Sequence, residues 1–256
     1  MSYSTFTFLG TSSGVPQAGR ASSGHMLKVE DSLSLIDCGG GVCSSFLKCG
    51  FDPLKVDRIF ISHTHPDHVC ELPLFLQMIY LAGRREPVTC YLPDEFVAPF
   101  DAYLPSVYII KERLSFPLTI TGYGEGVVYN ELFHLEAIAN SHLMKYAEHV
   151  QRLSLPNKMQ CHSFDIRVSD RRLFYSSDLA SFDEIKDCLF GCDVAVVEAT
   201  HIDLEQLLSF LPTAHVGRML LTHVMSEEQA QLIEAQARDA RIDNLVVAID
   251  GLTVKL

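Results

Sequence analysis

Positions 63 to 68 read His63-Thr64-His65-Pro66-Asp67-His68, placing three imidazoles and a carboxylate within six residues. They directly follow residues 58–62 (RIFIS), an apolar run that reads as a buried strand. Imidazole and carboxylate together suit zinc, iron or manganese, and a metal held there would make water a hydrolytic nucleophile. On extended backbone, His63 and His65 project to the same side. Pro66 favours extended geometry at His65 and suits the first position of a helix. Asp67 and His68 then fall in a first helical turn, with Asp67 favoured by the helix dipole. The segment therefore offers two ligand clusters, which suits two metals better than one. A polar loop with chance histidines is the bland alternative, and it requires the whole composite pattern to be coincidence.

Three further polar positions stand where strands should end: His142 after Ala139-Asn140-Ser141, Asp178 after residues 173–177 (LFYSS), and His223 after residues 219–222 (MLLT). Strand ends brought together by a fold are how a scaffold builds a site. The elements that must position them can be read from pattern. Residues 4–9 alternate as a strand ending in a small-residue loop over 10–16. Residues 26–29 and 33–36 form a hairpin, and a helix follows Gly39-Gly40-Gly41 to about residue 49. A helix over 71–82 and a strand over 88–92 come next. Prolines leave 94–104 ambiguous. Residues 118–139 read as strands broken by glycines, and 164–168 with 173–176 as a hairpin. Ser181 and Glu184 have capping-box spacing, and Ser226 with Gln229 starts a long helix to about residue 241. Residues 193–197 and 218–221 are buried strands, and 245–256 read as a closing hairpin across Asp250-Gly251. The pattern predicts two sheets with helices outside, in a single domain over 1–256.

With 256 residues, 48% of them hydrophobic, the chain can build a large core and disorder is not expected. A net charge of -12 disfavours nonspecific attraction to nucleic acid. The longest apolar run, 72–82, contains Pro73 and Gln77 and is too short to span a membrane. Met1-Ser2-Tyr3-Ser4-Thr5 lacks the basic and apolar regions of an export signal, so a cytoplasmic location is expected. Eight scattered cysteines without a CxxC pair read as reduced, mostly core thiols, Cys188 and Cys192 included.

Taken in order, residues 8–16 (FLGTSSGVP), 36–41 (IDCGGG), the HTHPDH run, 176–178 (SSD), 198–200 (EAT) and 220–223 (LLTH) resemble the metallo-β-lactamase superfamily. Within it the chain is most similar to ribonuclease Z and related phosphodiesterases. The resemblance implies an α/β fold, a four-layer αββα sandwich with a dinuclear site on one edge. It implies two divalent metal ions, zinc first and manganese or iron as alternatives. His63, His65 and His142 would hold one and Asp67, His68 and His223 the other, with Asp178 bridging. His149 and His162 flank His142 and are the alternatives for that position. Asp67 would also accept the proton of the nucleophile. Asp37 resembles a residue that orients a ligand histidine, although a turn-forming aspartate before glycines reads equally well. Glu198 would pair with a histidine, His201 or His215, to protonate the leaving group. His25 and His134 are read as structural. His68, where many true β-lactamases carry arginine, and His65, where the oxygen-reducing di-iron branch carries glutamate, both point to a hydrolase.

The chain also departs from ribonuclease Z. That family's tRNA-holding arm lies between the third metal motif and the bridging aspartate. Here only residues 143–160 are available beyond the hairpin, and they are not glycine-rich. The family's His-Ser-Thr helix is missing or replaced by residues 204–211. The expected substrate is therefore a small or nucleotide-like phosphodiester, such as a cyclic nucleotide, with tRNA disfavoured and no membrane partner. A ribonuclease Z-type endonuclease, a lactone, thioester or carboxylic-ester hydrolase, and last a non-catalytic metal-binding scaffold, are the competing readings. A homodimer is implied by the resemblance alone.

Overall fold

The computed structural model describes residues 4–256. Met1, Ser2 and Tyr3, part of the stretch read for an export signal, lie outside the described residues. The first half of the chain runs β1 (Thr5–Gly10), β2 (Gly24–Val29), β3 (Ser32–Ile36), α1 (Val42–Lys48), β4 (Val56–Phe60), α2 (Pro66–Val69), α3 (Leu72–Leu81), β5 (Val88–Pro93), α4 (Asp94–Tyr103) and β6 (Leu118–Tyr123). The second half runs β7 (Gly126–Asn130), β8 (His134–Asn140), α5 (Ala147–Leu153), β9 (Cys161–Val168), β10 (Arg171–Tyr175), α6 (Lys186–Leu189), β11 (Val194–Glu198), α7 (Leu204–Ala214), β12 (Arg218–Thr222), α8 (Glu227–Asp239) and β13 (Leu245–Val247). A last strand, β14 (Thr253–Lys255), returns to the first half. The sheets have the orders β14-β1-β2-β3-β4-β5-β6 and β13-β12-β11-β10-β9-β8-β7.

Strand alternation creates the layers. On β10, Leu173 and Tyr175 enter the core between the sheets, while Phe174 faces the outer helices. On β11, Val194 and Val196 turn inward, and Ala195 and Val197 turn outward. In the first sheet, Ile36 and Phe60 join the inter-sheet core, whereas Leu35 and Ile59 pack with Phe46 of α1 and Phe75 of α3. Strands buried on both faces need the continuous apolar runs seen in the sequence. The result is the expected helix–sheet–sheet–helix sandwich. No described helix is long and apolar enough to cross a membrane. All eight cysteines are free, five of them buried, and Cys70 is exposed.

Three local expectations are corrected. Residues 245–256 do not form a hairpin: β13 pairs parallel with β12, and β14 pairs antiparallel with β1 in the other sheet. The Asp250 carboxylate is occupied by the Thr11 hydroxyl at 2.7 Å and the Ala21 N–H at 2.6 Å, so this turn spans the sheets. Residues 94–103 are helical despite Pro99 inside the helix. Phe100 is fully buried and packs on Phe96 at 5.4 Å, and this burial outweighs the one lost backbone bond. The capping box at Ser181 does not close, because Glu184 instead accepts from Ser141 and Ala180. Ser226 does cap α8, accepting from the Gln229 N–H at 3.2 Å.

Candidate metal centre

The chemistry-bearing residues follow the carboxyl ends of strands, where open α/β sheets place their sites. Asp37 follows β3, the HTHPDH run follows β4, His142 follows β8, Asp178 follows β10, Glu198 ends β11, and His223 follows β12. Three of these turns use left-handed backbone at non-glycine residues: φ is 58° at Asp37, 52° at Ser177 and 58° at His223. Such conformations are costly, and they persist here where a strand end must re-aim a side chain. Gly39 allows the HTHPDH turn to close on the preceding loop, since a Cβ there would lie 1.9 Å from the Asp67 carbonyl oxygen. His65 is the extended residue before α2 and Pro66 is its first residue, as the spacing predicts.

Two groups of donors converge. His63, His65, His142 and Asp178 offer ligand atoms lying within 4.8 Å of one another, as do Asp67, His68, Asp178 and His223. In the first group His65 Nδ1 lies 3.1 Å from His63 Nε2 and 3.2 Å from His142 Nε2. In the second, His223 Nε2 lies 3.2 Å from Asp67 Oδ2. Asp178 belongs to both. Its Oδ2 faces His142 at 3.5 Å and His63 at 4.0 Å, and its Oδ1 faces His68 at 3.2 Å and His223 at 3.4 Å.

The surroundings fix the rings. His142 Nδ1–H donates to the Leu179 carbonyl at 3.1 Å, which leaves Nε2 as a lone pair facing the first group. His68 Nδ1–H donates to Asp37 Oδ2 at 2.9 Å, freeing Nε2 for the second group. Asp37 also accepts from the Ser62 N–H at 2.7 Å, the Ser62 hydroxyl at 2.9 Å and the Tyr175 hydroxyl at 2.8 Å. His63 Nδ1 lies 3.2 Å from the Ser62 hydroxyl and 3.3 Å from that of Ser177.

This donor set fits divalent metal. Of the atoms facing the second group, His68 Nε2 and Asp178 Oδ1 are buried without a hydrogen-bond partner among the described residues. Each such group costs roughly 1–3 kcal/mol if left unmet. Burial lowers the pKa of His63 and His65 and takes His142 to about 4, so their lone pairs are available at neutral pH. Burial also pulls on His68, but Asp178 and Asp37 outweigh it and raise that imidazole.

Glu198, His201 and His223 form a third group beside the second. Glu198 is buried and accepts from the backbone N–H groups of Thr200 at 2.6 Å and His201 at 2.9 Å. Its Oε1 lies 3.3 Å from His201 Nδ1, and this carboxylate raises the His201 pKa. His201 lines the cleft over both donor groups, whereas His215 is an exposed residue capping α7. His162 is buried against Tyr123 outside the clusters, and His149 is exposed on α5. His25 is wholly buried among Phe6, Phe8 and Tyr175, and His134 lies 3.2 Å from Asn130 Oδ1. Sequence reasoning missed Lys145 and Tyr146, which line the cleft. It also missed Glu184, which ties Ser141 to the turn after Asp178. For Lys145 and Tyr146 the signal available was position alone, within four residues of His142.

Fold and site together define a metallo-β-lactamase-fold hydrolase of the ribonuclease Z-like kind that binds divalent metal. Ribonuclease Z of Bacillus subtilis (strain 168) is 25% identical across 97% of this chain and 98% of its own. Among solved structures, the metallo-β-lactamase fold protein YhfI from Bacillus subtilis superposes with a TM-score of 0.75 at 18% identity, covering 100% of both chains. Human tRNase Z, short form, gives 0.72 at 18%, covering 98% of both. Residues 4–240 match the family model described as Anti-Pycsar protein Apyc1, and the chain belongs to that family.

Proposed function

We propose that this protein is a phosphodiesterase acting on a small, nucleotide-like phosphodiester such as a cyclic nucleotide. His63, His65 and His142 would hold one divalent ion and Asp67, His68 and His223 a second, with Asp178 between them; the nitrogen-rich donor set suits zinc. Bound there, such ions supply Lewis acidity and bring the ionisation of water toward neutral pH. The protein's own groups do the rest. Asp67, partly open to the cleft, accepts the proton of the attacking water. Glu198 holds His201 protonated and aimed, and His201 gives its proton to the departing oxygen. Asp37 and the Leu179 carbonyl keep two imidazoles in the ligating tautomer.

The observation that carries the phosphodiester reading is Lys145. It is the one lysine or arginine lining the cleft among the described residues. A phosphodiester bears a charge for it to meet, and a lactone or thioester does not. The ribonuclease Z relatives are named for RNA, a polymer of phosphodiesters. Against a large RNA stands the segment after His142, which forms a short turn (His142–Tyr146), α5 and a loop rather than a protruding arm.

The test is a substrate panel with metal-loaded protein: cyclic nucleotides, a bis-aryl phosphate, precursor tRNA, a lactone and a thioester. Cyclic nucleotides should turn over fastest. Faster lactone hydrolysis would overturn the reading, and efficient trimming of precursor tRNA would overturn the small substrate. The metal content of the purified protein should approach two ions per chain, and Asp67→Ala should abolish hydrolysis.

A further inference from the structure

A second cleft opens directly beside the metal centre. It has a volume of about 310 Å³, and it shares His65 and Tyr146 with the cleft over the ligands. The Tyr146 ring meets His65 edge to face at 5.7 Å and remains 43% exposed, so it stands at the junction of the two spaces. We propose that this second cleft seats the nucleobase of the substrate, with Tyr146 as the positioning residue against which the base stacks. The inference rests on the phosphodiesterase reading and adds to it the group on the far side of the phosphate.

Three observations favour a base over another substituent. The volume lies at the small end of ligand pockets, room for one ring system rather than a polymer. The walls combine a flat aromatic ring with aliphatic surface from Leu143, Val150, Leu155 and Met159, which suits a planar apolar face. The lining also includes Thr64, His149 and Asn157, whose side chains make no hydrogen bond among the described residues. An acyl chain would leave those three unmatched, whereas the edge of a base supplies donors and acceptors for them.

The far wall is built rather than loose. Glu95, at the start of α4, accepts from the backbone N–H groups of Lys158, Met159 at 3.1 Å and Gln160 at 2.8 Å. Gln160 Oε1 in turn accepts from the Glu95 N–H at 2.8 Å. This reciprocal clamp fixes the backbone of residues 158–160, and Met159 and Asn157 line the cleft with Tyr146. Lys145 lines the cleft over the donor groups, and its Nζ lies 5.4 Å from the Tyr146 ring centre, so a phosphate that it meets lies close to the ring, with the ribose to join it to the base.

The experiment compares a cyclic nucleotide with the corresponding abasic cyclic ribose phosphate on metal-loaded protein. Both turnover and equilibrium binding by calorimetry are measured. The preference in kcat/KM for the base-bearing substrate should fall about tenfold in Tyr146→Ala, through KM rather than kcat, the scale of one lost base–aromatic stack. Tyr146→Phe should keep the preference, and Val150→Trp, which fills the cleft, should remove it. Equal turnover of both substrates by the wild type, or a preference untouched by Tyr146→Ala and Val150→Trp, would overturn the base seat while leaving the phosphodiesterase reading intact. Base-dependent binding that is lost in Tyr146→Ala, without hydrolysis of either compound, would sustain the seat and sink the phosphodiesterase.

Discussion

Asp178 is the residue on which the centre turns, because its two oxygens face different donor groups and, among the described residues, no other belongs to both of those groups. Asp37 has a comparable role one step outward. One carboxylate accepts from the His68 ring, the Ser62 N–H and hydroxyl, and the Tyr175 hydroxyl while being completely buried. Asp37→Asn should lower metal affinity about 10–100-fold, the usual effect of removing a carboxylate behind a ligand histidine. Competition with a chelator measures this, and unchanged affinity would return Asp37 to the role of a turn former. The proposed proton donor makes a different prediction. His201→Ala should cost about 10²–10⁴-fold on substrates with alkoxide leaving groups and far less on a nitrophenyl ester, whose leaving group needs no proton. Equal losses on both would remove His201 from that role. At this scale the residues that converge in the two donor groups were legible, because a run of imidazoles and strand-end carboxylates is a local pattern. Lys145 was not, because a lysine three residues after a histidine acquires meaning only when the turn aims it into the cleft.

The elements explain where pattern reading stopped. The strands were legible because each buries one or two faces. Their partners were not, since β13 and β14 are neighbours in sequence and members of different sheets. Capping spacing at Ser181 misled for a similar reason: Glu184 is recruited by Ser141, on the turn carrying His142. That contact ties the end of β8, next to His142, to the loop after β10, next to Asp178. Element packing also gives a pH effect through His25 on β2. Its burial lowers its pKa from 6.5 to about 3, and both ring nitrogens lack partners. The unfolded chain therefore takes up this proton as pH falls below about 6.5 and the native state does not until pH approaches 3. The stability linked to His25 is full above pH 6.5 and is lost across that window, by about 1.4 kcal/mol per pH unit in its middle. His25→Phe should flatten that dependence in denaturant titrations at pH 6, 5 and 4. Identical slopes in the two proteins would contradict it.

The whole molecule carries a charge of -12, and its proposed substrate is an anion. Long-range repulsion then opposes encounter, and salt relieves it. kcat/KM for a cyclic nucleotide should hold or rise between low and physiological ionic strength. A steep fall, the signature of Lys and Arg contacts to a polyphosphate backbone, would point instead to an extended nucleic acid.

The pairing of β14 with β1 has a further consequence, in the making of the protein. Thr5 pairs with Lys255, so β1 waits during synthesis for a strand 250 positions further along the chain. During that interval β1 presents an open edge, the kind of surface on which chains associate with each other. All seven proposed ligands lie before residue 224, so a chain cut just short of β14 would keep every donor and lose the edge cover together with Val254 from the core between the sheets. Self-association, rather than an inability to hold metal, is the defect such a chain should show first.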